Sequence, residues 1–190
     1  MSDLPVSVIM PVYNSARFLD EAIRSILSQS FREFELVVID DGSTDGSGEI
    51  CDRYQRQDRR VRVFHQTNRG LSATLNRGIE ATEGRYIARM DSDDVSLPER
   101  LEKQYRYMES HPEIGILGTA CRRFGDGGGV SWTMTDPEEI RARLLFWPCL
   151  VHPTVMMRRE VLERHDLRYD TEFRHGAEDY DLWVRSSRFT

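Results

Sequence analysis

Lysine is almost missing from this sequence. Lys103 is the only one in 190 residues, so nearly all the positive charge is arginine. Guanidinium groups suit two-pronged contact with phosphate. The balance is nonetheless acidic, with a formal net charge of −6 mixed along the chain, which argues against a general nucleic-acid binder. Cysteine is scarce as well. Cys51, Cys121 and Cys149 lie far apart, odd in number and outside any metal-ligand spacing. They read as reduced thiols, not as a disulfide framework. No apolar run approaches the about 18–20 residues of a membrane span. The run Val6–Met10 is too short for a signal peptide. Cytoplasmic placement is expected, with peripheral attachment at the inner face of a membrane left open. A phosphate-cradling glycine loop is also missing. The run Gly125-Asp126-Gly127-Gly128-Gly129 has neither dinucleotide-binding nor Walker spacing and reads as a turn.

The rest is typical of a globular chain: 39% apolar and 31% charged residues. The length suffices for one domain with a sizeable core. Val6–Met10 is short and β-branched, as a buried parallel strand should be. Pro11-Val12-Tyr13-Asn14-Ser15 is expected to break it. Ser15 then caps a helix with Phe18, Leu19, Ala22, Ile23, Ile26 and Leu27 at helical spacing. Strands follow at 35–39 and 61–64, with a helix between them, capped by Ser43 or Asp45 and running to about Arg56. After the turn Asn68-Arg69-Gly70 come a helix from Ser72 to Ala81 and a fourth strand, Tyr86–Met90. Further on, a helix is expected over 98–111, a strand over 114–118, a helix from Asp136-Pro137 to Leu145 and an extended segment over 151–157. A short helix over 159–164 and one opening at Glu178-Asp179 complete the pattern. A further segment beyond Thr190 is expected to close the domain. The alternation predicts a single α/β domain with a mostly parallel sheet.

In such sheets ligands bind beyond the carboxyl ends of the strands. Four consecutive strand ends carry polar candidates: Tyr13, then Asp40-Asp41, then Asn68, then Asp91-Ser92-Asp93-Asp94. Three acids in four residues repel one another unless a cation sits among them. Oxygen-rich clusters suit Mg²⁺ or Mn²⁺. The alternative is a solvated turn. Tyr13 is either core or a ring that stacks on a base. Asp41 is either a helix cap or an acceptor for a nucleobase N–H. Asn68-Arg69-Gly70 is a plain turn or a nucleotide holder. Glu178-Asp179 complements a helix dipole or supplies a general base. His152 is a packed histidine or lies near the acceptor. Phe146-Trp147 and Trp183 are core or acceptor-site wall.

Four blocks together resemble family 2 glycosyltransferases: Val8–Asn14, Phe34–Asp45, Asp91–Asp94 and Glu178–Trp183, in the family's order and over nearly the whole chain. The resemblance implies an inverting enzyme with the GT-A fold, a Rossmann-like α/β architecture. It implies a nucleotide-binding half over residues 1–95 and an acceptor-side half over 96–190. Tyr13 would lie against the uracil of a UDP-sugar, and Asp41 would accept from the base. Pro11, Asn68, Gly70, Asp91 and Ser92 would join them on the donor side. Asp93, with Asp91, would hold Mn²⁺ or Mg²⁺, and Asp94 would stand in reserve. Asp179 would be the catalytic base. The Q-x-x-R-W motif of processive members is absent, which points to a non-processive enzyme of surface-polysaccharide assembly. A glycan or lipid-linked saccharide is the expected acceptor. Two rivals remain: a nucleotidyltransferase, and a nucleotide-sugar-binding module without activity.

Overall fold

The computed structural model describes residues 4–124, 128–131, 133–173 and 176–189. Gly125–Gly127 of the glycine run lie outside the described residues. The elements in order are β1 (Val6–Val12), α1 (Ala16–Leu27), β2 (Phe34–Asp40), α2 (Ser47–Gln57), β3 (Val61–His65), α3 (Leu71–Ala81), β4 (Tyr86–Arg89) and α4 (Arg100–Ser110). Then follow β5 (Ile116–Leu117), β6 (Arg122–Arg123), β7 (Gly129–Val130), α5 (Pro137–Leu144), a 3₁₀ turn (His152–Thr154), β8 (Met156–Arg158), α6 (Arg159–Arg164) and α7 (Glu178–Ser186).

Six strands form one sheet in the order β3-β2-β1-β4-β8-β5. β1 pairs in parallel with β2 and β4, and β2 with β3. β8 runs antiparallel to both β4 and β5. β6 and β7 make a separate small hairpin. Both faces of the sheet are covered, and β1, β2 and β4 are buried along their whole length. Val6, Val8, Met10 and Val12 face a core shared with Leu19, Ile23, Cys51, Tyr54 and Leu101 of α1, α2 and α4. Ile9 and Ile87 face the other way, towards Leu75, Leu144, Leu162, Leu182 and Trp183 of α3, α5, α6 and α7. Trp183 is thus core. Among the described residues no helix is long and apolar enough to cross a membrane.

Three expectations are corrected. β1 does not break at Pro11 but runs on to Val12, with Pro11 opposite Ile39 of β2. Ile9 uses its carbonyl towards the β4 side, where it accepts from Met90 N–H. Pro11, two residues on, faces that same side, beyond the last β1–β4 pair at Ile9–Arg89. Its missing N–H therefore costs the ladder nothing. The strand expected over 114–118 shrinks to the edge pair Ile116-Leu117. The segment 151–157 is not extended throughout, because His152–Thr154 makes a 3₁₀ turn before β8.

Candidate active site

The loops after β1 and β2 are laced together. Asn14, at φ +50°, donates its N–H to Ser43 Oγ at 3.0 Å and accepts from Thr44 N–H at 2.8 Å. Ser15 N–H donates to Ser47 Oγ at 2.9 Å, and Ala16 N–H to Asp45 Oδ2 at 2.9 Å. Asp45 thus caps α1 from a neighbouring loop, while its Oδ1 takes the first N–H of α2, from Ser47, at 3.0 Å. Ser15 sits at the N-cap position but makes no cap bond. Its hydroxyl instead meets the buried Ser92 hydroxyl at 2.7 Å, tying the first loop to the acidic corner. Tyr13, between these anchors, presents its ring to solvent at 54% exposure. Pro11, the last residue but one of β1, lies at the root of this loop.

Asp41 is buried and organises the third strand end. Its Oδ1 accepts from Gln66 Nε2 at 2.6 Å and Arg69 N–H at 2.8 Å. Its Oδ2 accepts from Gly70 N–H at 3.0 Å. A carboxylate has about four lone-pair sites, so one direction remains for a further donor. The exposed Asn68-Arg69-Gly70 turn is held by this residue, with Gly70 at φ +84°. Gly42 packs beneath it at φ +76°, where a Cβ would come within 2.8 Å of Asn68 N. Asp40 turns elsewhere. Its Oδ2 meets His65 Nδ1 at 2.8 Å, and His65 Nε2 meets Asp52 at 3.0 Å. These two carboxylates raise the His65 pKa.

At the fourth strand end, Asp91 is gripped by Arg89. Arg89 Nη1 donates to Asp91 Oδ2 at 2.6 Å, and Nη2 lies 2.5 Å from Oδ1. Arg89 is a cation inside an apolar strand, and the sequence reading passed over it. That misplaced charge was the signal that could have found it. Asp93 is exposed. Asp94 is half-buried, and its carboxyl pKa is raised, first by desolvation and then by Asp91 and Asp93. Arg100, partly buried, donates to the Arg89 carbonyl at 2.7 Å, and desolvation draws its pKa down to about 10. Gln66 was likewise missed, since a lone glutamine in a turn carries no pattern.

Asp179 opens α7 and lines a cavity of about 590 Å³ with His152, Val151, Trp147, Arg143 and Arg123. Its pKa is raised by desolvation, the largest effect. The Tyr180 N–H at 2.7 Å opposes this, Glu178 adds to it, and Arg89 opposes it again. His152 Nε2 meets Tyr169 Oη at 2.9 Å. Burial, and then the Arg89 charge, lowers the His152 pKa to about 2, so the ring is neutral. Phe146 and Trp147 are not core: they are 82% and 65% exposed. Trp147 is a wall of the Asp179 cavity.

The corner offers hard oxygen donors, as Mg²⁺ or Mn²⁺ requires. Among the described residues, no three His, Cys, Asp or Glu side chains converge on one point. Such ions commonly take one or two carboxylates and complete their shell with water and substrate phosphate. The exposed Asp93 and the crowded Asp94 fit that pattern, because a cation relieves the repulsion that raises Asp94. Asp91, both oxygens on Arg89, is already partnered.

Comparison with known proteins shows the family and the fold. The family model described as "Glycosyl transferase family 2" matches residues 7–166. The O-antigen biosynthesis glycosyltransferase WbnJ of Escherichia coli is 37% identical over 185 residues, covering 95% of this chain and 70% of WbnJ. An uncharacterized glycosyltransferase of Methanocaldococcus jannaschii, MJ1057, is 32% identical over 188 residues, 95% of this chain and 63% of its own length. The crystal structure of S. aureus TarS 1-349 in complex with UDP-GlcNAc superposes with a TM-score of 0.81 at 26% identity, over 96% of this chain and 53% of TarS. The chain therefore spans about two thirds of these curated relatives and half of that TarS chain. The sheet is that of the GT-A fold. The chain belongs to glycosyl transferase family 2.

Proposed function

We propose that this chain is the catalytic domain of an inverting glycosyltransferase, moving a sugar from a UDP-sugar to an acceptor hydroxyl. The observation that carries this reading is the placement of Asp179: half-buried, its carboxyl raised by desolvation, on a cavity that it shares with His152 and Trp147. A base works best with a pKa near the working pH, and desolvation moves Asp179 that way. Residues 1–95 carry the donor side and residues 96–190 the acceptor side.

Tyr13 lies against the uracil, and Asp41 uses its remaining acceptor direction for the base N–H. The Asn68–Gly70 turn, Pro11, Ser92 and Asp91 complete the donor seat. Asp93, with Asp94 beside it, would hold a divalent cation, and that group would supply positive charge to stabilise a diphosphate leaving group. Asp179 takes the acceptor proton as the hydroxyl attacks the face opposite the leaving group. One displacement inverts the anomeric centre through an oxocarbenium-like transition state. His152, neutral and tethered to Tyr169, shapes the acceptor cavity without adding charge. TarS has been solved with UDP and with UDP-GlcNAc, which supports a uridine donor. The name of WbnJ supports a role in surface-polysaccharide assembly, with a glycan or lipid-linked saccharide as acceptor.

The test is calorimetry of UDP with and without Mn²⁺, on the native chain and on Asp93→Asn. Metal-dependent binding is expected in the native chain and strongly reduced binding in the variant. Equal affinity in both would remove the metal assignment. Release of UDP from a UDP-sugar separates this function from an inactive binding module. Release of pyrophosphate from UTP and a sugar phosphate would mark a nucleotidyltransferase instead.

A further inference from the structure

Arg89 is the charge that the reaction so far leaves unused. It stands in β4, next to β8, where its N–H donates to the Val155 carbonyl at 2.9 Å. Its side chain is only 3% exposed. Two of its five N–H donors hold Asp91 as a fork. Its Nε is buried with no partner among the described residues. Buried polar groups are almost always satisfied, and exceptions gather where function demands them. The carbonyl of Arg89 is in turn fixed by Arg100 at 2.7 Å. The backbone and the side chain are therefore both tied down.

Its charge reaches well beyond Asp91. Asp179, His152, Tyr169, Asp94 and Arg100 all feel it. Among the described residues, the charged and titratable groups around Asp179 are Glu178 on its own helix, Arg89 on β4, Tyr169, His152 on the 3₁₀ turn, and Arg123, Arg143 and Cys149 on the cavity wall. Of these, Glu178 disfavours the carboxylate form of Asp179 and Arg89 favours it.

We propose that Arg89 is a positioning residue serving both halves of the site: it aims Asp91 at the donor through the fork, and it supplies a positive field to the base Asp179. This inference rests on the function proposed above. It distinguishes two properties of arginine, geometry and charge, that substitutions can separate. Arg89→Lys keeps the charge and loses the fork. Arg89→Met keeps a comparable stem and loses both.

The experiment reads two quantities that do not need turnover. One is UDP affinity with Mn²⁺, by calorimetry. The other is the titration of the Asp179 carboxyl, by ¹³C NMR on aspartate-labelled full chain. Both variants should lose roughly 10- to 100-fold in UDP affinity, the usual scale when a partner orienting a ligating group is removed. The Asp179 titration should move up in Arg89→Met and stay in place in Arg89→Lys. Unchanged affinity in Arg89→Lys would overturn the aiming role. An unmoved Asp179 in Arg89→Met, or equal movement in both variants, would overturn the field. If Arg89→Met fails to fold, Arg89→Gln replaces it in the same comparison. Absence of UDP-sugar turnover in the native chain would instead sink the proposed function, leaving both readouts of Arg89 intact.

Discussion

Asp41→Asn is the substitution whose cost follows most directly from the structure. The native carboxylate, 4% exposed, accepts from Gln66 Nε2, Arg69 N–H and Gly70 N–H at 2.6, 2.8 and 3.0 Å. Asparagine has nearly the same shape but one acceptor oxygen. If that oxygen stays on Gln66 and Arg69, the new NH₂ faces the Gly70 N–H, donor against donor. One charge-assisted bond is lost, about 1.5–3 kcal/mol, and two weaken to neutral bonds, about 1 kcal/mol each. Asparagine avoids the cost of burying a charge, which offsets part of this. The expected net loss is about 2–3 kcal/mol, a large share of the about 5–15 kcal/mol of a typical domain. Urea unfolding followed by tryptophan fluorescence measures it, as a fall in midpoint at constant slope. UDP affinity should fall together with stability, because the same bonds hold the Asn68–Gly70 turn. A loss below about 1 kcal/mol with unaltered UDP binding would refute this view of Asp41.

Two further outcomes are expected. Gly42→Ala should destabilise by about 1–3 kcal/mol, because φ is +76° and the new Cβ would meet the Asn68 backbone at 2.8 Å; thermal unfolding checks it. His65 is raised by Asp40 first and Asp52 second. Its folded form holds a proton that the unfolded chain releases above about pH 6.5. Its stabilisation is therefore complete below that pH and fades as pH rises through the higher folded pKa. Melting temperature should decline over that window in the native chain, and the decline should flatten in His65→Gln.

The amino-terminal half of the fold was legible because each strand there is a short β-branched run and each helix a clear apolar stripe. Val6–Met10 and Leu19–Leu27 report their partners in their own spacing, since two covered faces demand apolar residues throughout. β8 was harder to read. Its pairing with β4 and β5 joins residue 156 to residues 88 and 117, and no local period encodes so distant a contact. Pro11 misled for the opposite reason. A local rule about proline was overridden by an open side of the ladder. Within the site, Tyr13, Asp41, Asn68 and the acidic corner were visible as polar residues ending apolar runs. The fork on Asp91 and the hold of Asp41 on the Gly70 turn were not, because a sequence states which charges exist but not which of them meet. Phe146-Trp147 read either as core or as acceptor-site wall; both are exposed just past α5, and Trp147 lines the Asp179 cavity.

The central claim is that Asp179 removes the acceptor proton, and Asp179→Asn tests it most directly. Asparagine keeps the shape of the cavity wall and cannot take a proton. UDP affinity with Mn²⁺, by calorimetry, should stay within about twofold of the native value. Sugar transfer, followed as UDP release with acceptor present, should fall roughly 10²- to 10⁴-fold, the usual contribution of a general base. Transfer at the native rate with donor binding intact would contradict the account, and the base would have to be another group.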